Sequence, residues 1–238
     1  MPRPTPRPPP PLLWGALCHV LFAVAVAGML GGLATGLRTG TGRLSGSAAV
    51  VADLALLGSF PIAHSVLLTT RGRRALRAAA GAPAALDTTL FAAASSALLL
   101  AVFGLWSPLP GPQMALTGAA ATFTWATFGL GWLLLGVAMA EAGLGVQTGA
   151  AGWMAARRGT PVRYPPPAKR GLHGLVPHPI YLSFVLILWS GPVWTLDKLL
   201  MASTWTVYCA VGSGWKARRQ AQRARPVALP MSRSLGHP

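Results

Sequence analysis

The chain has 238 residues, 53% of them hydrophobic and only 10% charged, with four acidic residues and a formal net charge of +16. A soluble domain carries about 25% charged residues, so this composition excludes an ordinary water-solvated domain and fits a chain solvated mostly by lipid. The two cysteines, Cys18 and Cys209, both sit inside apolar runs, which argues against a disulfide or zinc framework; the basic residues form no patch interleaved with aromatics, which argues against nucleic acid.

The chain opens on a proline-rich tail over residues 1–11, read as disordered polyproline. Six apolar runs follow, over 12–36, 48–69, 85–106, 115–140, 179–195 and 199–215. A helix needs about 20 apolar residues to cross a bilayer, and the first four runs meet that length. The first run contains "AVAVAG", a possible cleavage site, but it continues to the length of a span. The last two runs are short and separated by "TLDK" (Thr195 to Lys198), which predicts a short helical hairpin, with Gly191-Pro192 as a kink in its first arm. In lipid, any conformation other than helix would leave the backbone of these runs unsatisfied. The predicted fold class is therefore all-α, a polytopic membrane bundle of about six transmembrane helices. It forms one domain over 12–220, followed by a basic disordered tail over 221–238.

The basic residues orient the bundle. Seventeen of them fall on the side of the N-terminal tail, the second and fourth loops and the C-terminal tail, against three (Arg38, Arg43 and Lys198) on the other side. Cytoplasmic loops carry the excess of Lys and Arg, so both termini are expected in the cytoplasm of a bacterial inner membrane. The segment from 141 to 178 is too long for a bare turn, and such loops are often functional.

Three polar stretches then share the cytoplasmic side: "PIAHSVLLTTRGRRAL" after the second run, "KRGLHGLVPHPIY" before the fifth, and "GSGWKARRQ" after the sixth. Each has two readings. His64 and Ser65 are either an interfacial pair bonded to backbone or part of a site. His178, held between Pro177 and Pro179, either caps the fifth helix or points into a pocket. The basic tail is a positive-inside anchor before it is anything else.

The stretch "GLHGLVPHPIYLSFVLILWSGPVWT", followed by "TVYCAVG", resembles the integral-membrane methyltransferases related to isoprenylcysteine carboxyl methyltransferase, and within them the methanethiol S-methyltransferase and NnrU-like branch. That branch has Arg-His-Pro-x-Tyr before its fifth helix, matched here by His178, Pro179 and Tyr181 with Pro177 in place of the Arg. A His-Ser pair at the end of its second helix is matched by His64 and Ser65. The likeness covers roughly residues 45 to 220. It implies S-adenosylmethionine bound from the cytoplasm and a small thiol or lipid-like acceptor entering from the bilayer. It assigns cofactor binding to His178, Pro179 and Tyr181, acceptor binding to Ser65, and catalysis to His64 as a base for a thiol proton.

The chain also departs from the family. A glutamate pair just after the last helix is replaced by Lys216 and Ala217. Two arginines and two tyrosines ahead of the His are replaced by Gly174 and Pro177 and by His173 and Leu175. Lys169 and Arg170 stand near enough to compensate for the lost cations, while Glu141 is the only glutamate in the chain. The sequence thus supports a membrane methyltransferase, with a non-catalytic membrane binding or accessory protein as the alternative. A transporter would need paired ionisable groups or broken helices in two related halves, which the spans lack.

Overall fold

The computed structural model describes residues 10–224 except residue 167, with side chains described as far as Gly214. Lys216 and Ala217, and most of both tails, therefore lie outside the described side chains. Among the described residues, four helices are long and apolar enough to cross a bilayer: α1 (Pro11–Ala34), α2 (Gly46–Leu67), α4 (Asp87–Leu105, led in by a 3-10 turn at Ala84–Leu86) and α5 (Gly118–Glu141). Between α2 and α4 lies the short α3 (Thr70–Ala80). After α5 come α6 (Leu144–Gln147), α7 (Ala150–Arg158) and α8 (Leu172–Leu175), then α9 (Pro179–Leu188) and α10 (Leu196–Ala224). Large apolar side chains such as Phe123, Leu133 and Val207 are exposed on the outer faces of the helices, as expected where lipid replaces water. The chain is an integral membrane protein with an all-α bundle.

The fifth apolar run differs from expectation. It is helical only to Leu188, because Gly191 adopts φ +92° and Pro192 follows it, so the run ends rather than kinks. Residues Val193–Thr195 form β2, which pairs antiparallel with β1 (Gln113–Ala115). "TLDK" is no turn: the Thr195 hydroxyl accepts from the Lys198 amide at 3.1 Å, and α10 starts at Leu196. The sequence held no signal for this two-stranded ribbon, which closes the end of the bundle opposite the arginine-rich loops. Arg38 donates there to the Leu109 carbonyl at 2.8 Å, and Asp197 accepts from the Leu109 amide at 3.1 Å.

Around the core of Leu33, Leu57, Phe103, Trp106, Ile187, Met201 and Trp205, close helix packing depends on small residues. Gly32 of α1 faces Phe103 of α4, and Gly131 of α5 faces Ile187 of α9, each leaving no room for a Cβ. The register of α2 against α10 has a specific cause. Pro61 lies inside α2, so it cannot donate to the carbonyl one turn earlier. That carbonyl, of Leu57, instead accepts from the Trp205 indole at 3.1 Å. About two turns further along α2 and one along α10, Ser65 meets Tyr208 at 3.1 Å.

At the basic end, α3 is a helix where the sequence read as a loop. Thr69 caps it by accepting from the Gly72 amide at 3.0 Å, and Gly81, at φ +58°, ends it. Arg73 pairs with Asp87 at 3.0 Å, with Arg77 3.7 Å from the same carboxylate. Helix α7 packs between α1 and α4. Its Trp153 donates to His19 at 3.0 Å over Gly15, and Gly152 fits against Thr88 and Thr89. Thr89 also donates to the Gly149 carbonyl at 2.7 Å. The long segment after α5 is thus tied to the bundle and folds back over its end.

Candidate active site

The site lies where that segment returns. A cavity of about 520 Å³ is lined by His64, Leu68 and Phe91 on one side and by Ala142, Gln147, Pro165, Pro166 and Ala168 on another. His173, Pro177, His178, Pro179, Ile180 and Tyr181 complete it. Cavities that hold drug-sized ligands run about 300–1,000 Å³. Four of the five residues singled out in the sequence share this cavity: His64, His178, Pro179 and Tyr181. Ser65 does not line it, and its hydroxyl is bonded to Tyr208 on α10.

Each wall has a local cause. His64 follows Pro61 by three residues, so it lies on the turn after the interrupted hydrogen bond. Its ring stacks on Phe60 (centroids 5.3 Å, 25° between planes), tilts against Phe91 at 5.1 Å, and brings Nδ1 to 3.2 Å from the Ser95 hydroxyl. Pro179 is the first residue of α9, where its fixed φ suits a helix start and its missing N–H costs nothing. His178 has the non-helical φ −140° and ψ 66° of a flanking residue, yet its side chain makes no cap hydrogen bond. The helix-cap reading of His178 is therefore not what the structure has. Its ring lies 5.8 Å from that of Tyr181, whose hydroxyl borders Gly212 of α10, where a Cβ would sit 3.4 Å away.

Glu141 and His173 are the constellation that sequence reasoning missed. Glu141 ends α5, and one of its oxygens accepts from the Leu172 amide at 3.0 Å. The other accepts from the His173 amide at 3.2 Å and faces His173 Nδ1 at 2.9 Å. Gly171 makes this possible: it has φ +61°, and a Cβ there would collide with the carboxylate. The available signal was a lone glutamate at the mouth of an apolar run, where the negative end of a helix dipole disfavours an acid. With both oxygens committed to this loop, Glu141 does not stand in for the missing glutamate pair. Lys169 and Arg170 are exposed next to the lining residue Ala168.

Comparison with known proteins finds methyltransferases. Methanethiol S-methyltransferase 1 of Bradyrhizobium diazoefficiens is 28% identical over 250 residues, covering 94% of this chain and 83% of its own. The methanethiol S-methyltransferase of Mycobacterium tuberculosis is 27% identical over 212 residues, covering 87% and 86%. This chain is their homologue. That of Pseudomonas deceptionensis is 28% identical over 172 residues, covering 69% and 63%. No family model matches the chain, and no solved structure does. Apolar spanning helices together with these relatives make this homologue a membrane methyltransferase. It therefore handles a methyl donor and an acceptor. A cavity that can hold two reactants suits that reaction, because positioning them in line supplies much of the rate.

Proposed function

We propose that the protein transfers a methyl group from S-adenosylmethionine to a small thiol or lipid-like acceptor, in the cavity between α2, α9 and the segment 141–178. The convergence of His64, His178, Pro179 and Tyr181 on one cavity carries the reading. Its volume suits an adenosyl donor, and the His178–Tyr181 pair offers ring donors to a carboxylate or ribose hydroxyl. Pro177 and Pro179 restrict the backbone on either side of His178. On the other wall, His64 would meet the acceptor group. Ser65 and its partner Tyr208 would hold α2 against α10 behind it. The relatives named for methanethiol favour a small thiol as the first acceptor to test.

Calorimetric titration of detergent-solubilised protein with S-adenosylmethionine tests the donor, followed by methylation of methanethiol. His178→Ala should weaken donor binding about 10–100-fold, the loss of one charge-assisted hydrogen bond, with the melting temperature nearly unchanged. A folded wild type that binds no donor would instead support the non-catalytic alternative.

The cavity would open toward the cytoplasm of a bacterial inner membrane. Arg73 of α3 lies 5.1 Å over the ring of the lining residue Phe91, and the positive-inside rule would put that basic end in the cytoplasm. Cysteines introduced at Thr70 and Gly111 in a cysteine-free background test this. An impermeant thiol reagent on intact cells should label Gly111→Cys and spare Thr70→Cys; the reverse pattern would invert the protein.

A further inference from the structure

We propose that His173, oriented by Glu141, accepts the proton of the acceptor thiol. This rests on the thiol-methylating reading above and names the base that reading needs. Methyl transfer to a thiol requires the sulfur to lose its proton, since the thiolate is the nucleophile. A carboxylate that accepts two backbone amides is held in its ionised, acceptor-only form. His173 Nδ1 therefore carries the proton it shares with Glu141 at 2.9 Å. The lone pair then resides on Nε2, on the far side of a ring that lines the cavity. This is the arrangement in which a second group fixes both the tautomer and the direction of an imidazole base.

The neighbouring titratable groups fit the assignment. Glu141 is the only ionisable residue of α5, the long helix packed on α8. His64, His178 and Tyr181 line the same cavity from α2 and the start of α9, and Lys169 and Arg170 precede Gly171 in the chain. His64 has the Ser95 hydroxyl 3.2 Å from its Nδ1, and His173 has a carboxylate that stabilises the imidazolium as it forms. Glu141 itself is a positioning residue. It holds the imidazole and does not touch the reactants.

The step balances. The S–H bond of the acceptor breaks and its proton goes to Nε2 of His173. The sulfur lone pair forms the new bond to the methyl carbon of the sulfonium donor. The electrons of the broken C–S bond return to the donor sulfur, which leaves as a neutral thioether. The imidazolium then gives its proton to water.

The test compares two acceptors in wild type, His173→Gln and Glu141→Gln, with S-adenosylmethionine as donor. Methanethiol is mostly protonated at neutral pH, whereas thiophenol is already ionised and needs no base. With methanethiol, His173→Gln should lose about 10²–10⁴-fold in kcat/KM. Its rate should then climb about tenfold per pH unit with the thiolate fraction, while the wild type levels off at lower pH. With thiophenol the same variant should stay within about tenfold of wild type, which also shows that it folds and binds donor. Glu141→Gln should fall between the two with methanethiol. Equal losses on both acceptors, or no loss on either, would overturn the proposal while leaving thiol methylation standing. A wild type that binds donor but methylates neither thiol would overturn both.

Discussion

Gly171→Ala is expected to lower methyl transfer by about 100-fold or more while leaving the unfolding of the bundle nearly unchanged. The residue has φ +61° and ψ −136°, a backbone region essentially reserved for glycine, where another residue costs about 1–3 kcal/mol. A Cβ would also run into the Glu141 carboxylate. The loop can relieve that collision only by moving Leu172 and His173 off the carboxylate, breaking three hydrogen bonds. His173, and behind it the Pro177–Tyr181 stretch, would then leave the cavity wall. A misplacement of about 1 Å in a catalytic constellation costs on the order of 10²-fold. The core contacts of Phe103 on α4 and Trp205 on α10 lie on other helices and are untouched. Steady-state kinetics beside thermal unfolding in detergent would check both halves. A variant with normal turnover would mean that the Glu141 clamp does not set the site.

Lys198→Ala should destabilise the folded bundle by about 2–4 kcal/mol, from two carbonyls that lose a charged donor. Lys198 is fully buried, and its ammonium donates to the carbonyls of Ser190 at 2.7 Å and Val193 at 3.2 Å. It also sits 4.6 Å from the centre of the Trp194 ring, a favourable cation–π placement. The backbone it serves runs from the irregular stretch after α9, at Ser190, to the first residue of β2, Val193. Non-helical backbone buried away from water persists only where other protein groups satisfy it. Lys198→Met separates donor from packing, because it restores most of the volume and none of the hydrogen bonds. Both variants should unfold earlier than wild type in thermal melts of purified protein. A Met variant as stable as wild type would assign the effect to the cavity left by Ala instead.

The spans were legible in the sequence, and so was the end of the bundle that would carry the site. Lipid requires an apolar length and an internally satisfied backbone, and both are properties of one contiguous segment. For the same reason α1, α2, α4 and α5 begin and end within three residues of the apolar runs. The placement of His178 at a helix mouth was equally local, since Pro179 sets both the helix start and the backbone before it.

Tertiary structure decided what depends on partners far apart in the chain. Pro61 announces a freed carbonyl, but only packing supplies the Trp205 indole that takes it, 148 residues away. Glu141 reads as an acid misplaced at a helix end until α8 returns, 31 residues later, to bring the Leu172 amide within reach. The ribbon between β1 and β2 has three residues a side, too few to show a strand period, and it exists because Gly191 ends α9 early. Hydropathy decides which segments enter the membrane. The bonds that aim a side chain join segments that hydropathy cannot relate, so they appear only once the helices are packed.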